Sequence, residues 1–239
     1  LCIWGSTAGA GIFGAQYYGS GDMDGLRHTF RFKLVIASLI TAAAILLLGF
    51  AGPALICDYI ASDTSAQDAA ATLGYAREYM HIMMVGLIPF AVTQCIAGTL
   101  RETGQTVLPM KASIAAIVVN FVFNSLLIFG LLGFPRLGVV GAAIATVLSR
   151  FVELGIVILG ARRNIERFPF LRGVFKSFGI PRELAGQILS KSLPLLLNEL
   201  MWGTGQAILL QCYSVRGIQV IAAMNICNTV SQIFNEAFL

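Results

Sequence analysis

Long apolar runs broken by short polar segments set the rhythm of this chain. Uncharged stretches of 24, 22 and 24 residues lie between Lys33 and Asp58, Glu78 and Arg101, and Lys111 and Arg136. A hydrocarbon core of about 30 Å needs about 20 residues of helix, so each run is long enough to span a bilayer. Three further runs, Leu137 to Ala161, Leu193 to Val215 and Gly217 to Leu239, carry only one or two charges each, and an apolar, Gly-rich segment runs from Leu1 to Tyr18. The pattern predicts an all-α, polytopic membrane protein with about seven visible spans. The chain begins without Met and stops inside an apolar run, so a fragment of a longer protein is expected.

The distribution of charge adds a topology. Loops 20–33, 101–111 and 162–191 hold twelve basic residues, and the intervening loops hold three, Arg77, Arg136 and Arg216. Lys and Arg concentrate on the cytoplasmic side of membrane proteins, which places those three loops in the cytoplasm of a cell inner membrane. The net charge of +4 is therefore a topology signal, and no nucleic-acid partner is expected. With 57% hydrophobic and 12% charged residues, against about 25% charged in soluble domains, the lipid bilayer is the expected solvent. The five cysteines form no C-x-x-C pair and are expected to be free. The Pro- and Phe-containing segment 166–190 reads as a linker on the membrane surface, dividing a first unit, 1–165, from a second, 191–239.

Polar residues inside the apolar runs are the candidates for function. Asn225, Asn228, Gln232 and Asn235, with Glu236 beside them, recur at helical spacing and put four amides on one face. Lipid cannot satisfy amides, so that face must meet another helix or a hydrated cavity. Asn198 and Glu199 sit one turn beyond Pro194, with Gln206 two turns further. A carboxylate at membrane depth costs about 2.5–3.5 kcal/mol to insert, which favours ion or proton handling at Glu199. Ser113, Asn120 and Asn124 share a weaker polar face. Arg150 and Glu153, three apart on one helix, are expected to form a structural ion pair. Pro89 and Pro194 are hinge candidates, Pro89 the better because it lies deeper in its run. Gly138, Ala142, Ala145, Ser149 and Glu153 define a small-residue packing face, as do Gly5, Gly9, Gly11 and Gly14. No H-E-x-x-H, G-x-S-x-G or P-loop pattern occurs, so an enzyme is disfavoured and neither metal nor cofactor is expected.

Three motifs then coincide: Gln16-Tyr17-Tyr18-Gly19-Ser20-Gly21; Arg101-Glu102-Thr103-Gly104-Gln105-Thr106 with Pro109-Met110; and Leu137-Gly138-Val139-Val140-Gly141-Ala142-Ala143-Ile144-Ala145-Thr146. In order and position they resemble a multidrug and toxic compound extrusion (MATE) transporter along essentially the whole chain. The resemblance implies twelve helices in two six-helix lobes related by a pseudo-two-fold along the membrane normal, of which this chain holds helices two to eight. It implies a monomeric antiporter that expels organic, often cationic, small molecules in exchange for H+ or Na+ by alternating access. Glu199 matches the acid of helix seven, and Asn120 and Asn124 match polar positions of helix five. Many members carry an Asp where this chain has Asn124, which shifts the expected coupling to Glu199, then Glu236. A flippase of lipid-linked saccharides or other amphipathic lipids is the alternative. It would need a strongly basic cavity, and Arg150 is the single basic residue well inside a visible run.

Overall fold

The computed structural model describes residues 2–59, 66–165, 168–171, 174, 179–214, 220 and 223–231. Six long helices follow in order: α1 (Cys2–Ser20), α2 (Met23–Tyr59), α3 (Ala66–Glu102), α4 (Val107–Phe129), α5 (Gly138–Arg163) and α6 (Arg182–Ser214), with 3-10 turns at Leu131–Gly133 and Pro169–Leu171. Residues 223–231 are helical as well. An α-helix satisfies its own backbone hydrogen bonds, which is what an apolar run in lipid requires. Met23–Gly52, Thr72–Glu102, Val107–Phe129 and Gly138–Arg163 are each long and apolar enough to cross a membrane. The outer faces carry exposed Phe50, Phe121 and Leu132, as a lipid-facing surface does.

Glycines stop the helices at two sharp turns. Gly21 (φ 79°) follows α1, with its N–H on Tyr18 O and that of Asp22 on Tyr17 O; Gly104 (φ 75°) follows α3, with its N–H on Arg101 O and that of Gln105 on Leu100 O. Both are Schellman endings, which need a left-handed residue that glycine supplies without a Cβ clash. Asp22 then caps α2, its Oδ1 accepting from the N–H groups of Asp24 and Gly25.

Three expectations are corrected. The loop expected at 20–33 is a two-residue turn, and Arg27, Arg31 and Lys33 lie on α2. With 37 residues α2 runs about 55 Å, longer than the bilayer core, so its charged end extends beyond lipid and packs against other elements. The linker segment does not face the membrane surface at its aromatic residues. Phe168, Phe170 and Val174 are buried in the core with Phe30, whose ring meets Phe170 edge-on at 6.1 Å, and Arg31 Nε donates to Val174 O at 2.8 Å. Residues 182–190 of the expected linker already belong to α6. Finally, the buried residues of α5 are Ala143 and a row at four-residue spacing, Gly141, Ala145, Ser149, Glu153, Val157 and Ala161, with Gly138 and Ala142 half-buried. A Cβ on Gly141 would lie 2.8 Å from Leu127 O of α4, so the glycine permits the α4–α5 approach.

Candidate functional site

Where α3, α4 and α5 meet, polar side chains from all three line a half-open cavity of about 390 Å³, among them Gln94, Ser113, Asn120, Thr146, Arg150 and Glu153. The buried Glu153 carboxylate accepts from Ser113 Oγ at 2.9 Å through Oε1, and its Oε2 lies 3.6 Å from Arg150 Nη1. Arg150 is held from the other side by the Phe90 ring, 4.5 Å from centroid to guanidinium carbon. That cation–π contact keeps the positive charge beside the cavity without closing it onto the acid. Asn124 Nδ2 donates to Asn120 Oδ1 at 2.9 Å and Asn120 Nδ2 to Thr146 Oγ1 at 3.3 Å, while Thr146 itself donates to Ala142 O. Asn124 Oδ1 is buried with no hydrogen-bond partner among the described residues. The pocket thus offers a carboxylate and hydroxyls to a cation, next to a resident guanidinium, with Asn124 behind Asn120. The sequence face Ser113, Asn120 and Asn124 and the pair Arg150–Glu153, read separately, converge here.

Glu199 lies elsewhere, half-buried where α6 crosses α1. The two helices approach through glycine: a Cβ on Gly5 would meet Glu199 Cγ at 2.8 Å, and one on Gly9 would collide with the backbone of Ser192. Ala10 of α1 continues this contact into a small cluster with Phe32 of α2 and Leu184 and Ile188 of α6. Asn198 and Gln206 are exposed, so they do not share the Glu199 environment. Asn225 and Asn228 are exposed on the 223–231 helix, and Gln232, Asn235 and Glu236 lie outside the described residues. Pro89 is buried within an unbroken α3, and Pro194 is exposed within α6. Among the described residues no group of three or more His, Cys, Asp or Glu side chains could hold a metal ion.

A second ion pair was not anticipated from the sequence. Lys33 of α2, its side chain 1% exposed, pairs with Glu102 of α3 and donates to Thr99 Oγ1 at 3.2 Å. Glycines of α1 close over it: a Cβ on Gly11 would lie 2.6 Å from Glu102 Oε1, and one on Gly14 2.5 Å from Oε2. Lys33 reads in the sequence as a topology charge and Glu102 as part of a turn motif, and 69 positions of chain separate them. The one available signal was that Lys33 abuts an apolar run directly.

Comparisons with known proteins agree with this architecture. The sequence profile of the family described as MatE matches residues 1–126. A probable multidrug resistance protein NorM of Thermotoga maritima is 30% identical over 166 residues, covering 68% of this chain and 34% of that protein. A probable multidrug resistance protein YoeA of Bacillus subtilis is 24% identical over 230 residues, 95% of this chain and 48% of its own. A crystal structure of MATE in the bent conformation superposes with TM-score 0.75 at 20% identity, over 97% of this chain and 49% of that one. An inward-facing multidrug resistance MATE family transporter of the MOP superfamily gives 0.69 over 90% and 44%. The matched regions cover between about a fifth and a half of the relatives' own lengths. With its profile match over more than half its length and its helical bundle, this multi-pass membrane protein belongs to the MatE family of transporters.

Proposed function

We propose that the full-length protein is an antiporter that exports organic, often cationic, compounds in exchange for H+ or Na+, with Glu199 as its principal coupling acid. The observation that carries this reading is the position of Glu199: a half-buried carboxylate at the α1–α6 crossing, where helices from opposite sides of the 166–190 segment touch. On this reading residues 1–165 belong to the first lobe and α6 opens the second, so an ion bound at Glu199 acts on the surface between lobes. A ligand shifts a conformational equilibrium only by binding its states unequally, and a carboxylate on a surface that opens and closes meets that condition. Asn120 lines the first-lobe pocket for ion or substrate with Asn124 hydrogen-bonded behind it, and Glu236 is the second acid in order. The names of the relatives support a drug substrate. The basic ends of the helices face the cytoplasm of the inner membrane, Pro89 and Pro194 absorb bending, and the transporter works as a monomer.

The test requires the complete transporter in inverted vesicles. Glu199→Gln keeps the size of the side chain but can neither exchange a proton nor present a full negative charge to sodium. It should bind substrate as the wild type does and lose gradient-driven uptake. Normal uptake by this variant would move coupling to Glu236 or to an acid elsewhere in the complete protein.

A further inference from the structure

Lys33, Glu102 and Gln94 have no part in the coupling scheme above, yet together they mark a route. Besides the cavity of about 390 Å³ between α3, α4 and α5, a second of about 190 Å³ lies between α1 and α3, lined among others by Thr7, Lys33, Gly98, Arg101 and Glu102. One residue, Gln94, lines both cavities. Gln94 and Glu102 are eight positions apart on α3, a little over two turns, so they lie near one face, and Gly98 between them adds no side chain to that face. Gln94 thus stands between the polar lining of one pocket, with Glu153 and Asn120, and that of the other, with Glu102 at the end of α3.

We propose that these two cavities form a path by which a monovalent cation, H+ or Na+, passes between the first-lobe pocket and the basic end of the bundle, with Lys33–Glu102 as its gate. This rests on the antiport reading for its purpose but not for its geometry. A cation in a low-dielectric bundle needs polar lining along its way, and Gln94 supplies it at the junction. At the end of the path the Lys33 ammonium occupies the Glu102 carboxylate and is steadied by Thr99. An arriving cation meets a like charge already seated on the acid it would bind. The ammonium has to leave Glu102 for the cation to enter, and α1 covers that carboxylate through Gly11 and Gly14. Because α1 also touches α6, movement at that crossing changes what covers the gate.

The full-length transporter in proteoliposomes tests this, with proton leak read by an internal pH dye and sodium leak by a sodium dye, both without drug. The double variant Lys33→Met with Glu102→Gln strands no charge, so the fold should survive. It should leak one of the two ions about tenfold faster than the wild type, the scale of an ordinary coupling energy, and adding Gln94→Leu should bring the leak back down. The swapped pair, Lys33→Glu with Glu102→Lys, should stay tight. A double variant as tight as the wild type, or a leak indifferent to Gln94→Leu, overturns the proposal. Should the double variant not accumulate, Gln94→Leu alone decides: gradient-driven uptake measured at saturating ethidium should fall about tenfold, and unchanged uptake overturns the path. Absence of ion-driven ethidium uptake in the wild type would instead sink the antiport reading, which the drug-free leak assay does not depend on.

Discussion

Arg150–Glu153 joins neighbouring turns of one helix at 3.6 Å, with the arginine 39% exposed; Lys33–Glu102 joins α2 to α3, with the lysine at 1% and glycines of a third helix over the acid. The first pair needs no tertiary structure to meet, because any helix brings positions three apart onto one face. The second exists only once three helices have packed. Burial makes the consequences unequal. Removing one member of a sealed pair leaves a charge in a low dielectric, whereas a half-exposed guanidinium keeps part of its solvation. A charge in a membrane bundle is thus costly to strand in proportion to how completely it is sealed from water.

The largest expected effect is at the sealed pair. Glu102→Ala, which strands the Lys33 ammonium, should lower the stability of the full transporter by about 3–5 kcal/mol, seen as loss of monodisperse folded protein. The double variant Lys33→Met with Glu102→Gln should recover most of it. Next comes the glycine cover: Gly11→Ala pushes a methyl against Glu102 Oε1 and should cost about 1–3 kcal/mol, read as a lower melting temperature. Arg150→Ala should cost about 1 kcal/mol, more than Glu153→Ala, since it strands the buried member, and the double Ala variant should fold better than Arg150→Ala alone. Smallest is Phe121→Ala on the exposed face of α4, within about 0.5 kcal/mol of wild type. If Glu102→Ala and Arg150→Ala proved equally mild, the distinction between the two pairs would collapse.

The same contrast explains what was legible before the fold was known. Span positions, the small-residue approach of α5, the Arg150–Glu153 pair and the polar face of α4 all follow from periodicity within single helices. The family resemblance was legible too, because motifs such as Arg101-Glu102-Thr103-Gly104 are local. Lys33–Glu102 was not, since nothing in one helix announces a partner on another. The linker was misread for a related reason. Phe168 and Phe170 look like membrane-surface aromatics by composition, and only the protruding end of α2, with Phe30 on it, gave them a protein surface to enter. Gln206 was assigned to the Glu199 face by spacing alone and proved exposed.

The docking of Phe168, Phe170 and Val174 has a mechanical meaning. With Val174 fastened to Arg31 of α2, no more than eight steps of chain separate that anchor from Arg182, the first residue of α6. Eight steps of chain reach at most about 28 Å when fully extended. That leash bounds how far the start of α6 can travel from Arg31 in any working cycle. Lengthening it by insertion after Val174 would relax the bound without touching either bundle; loosening the anchor with Phe170→Ala would relax it from the other end.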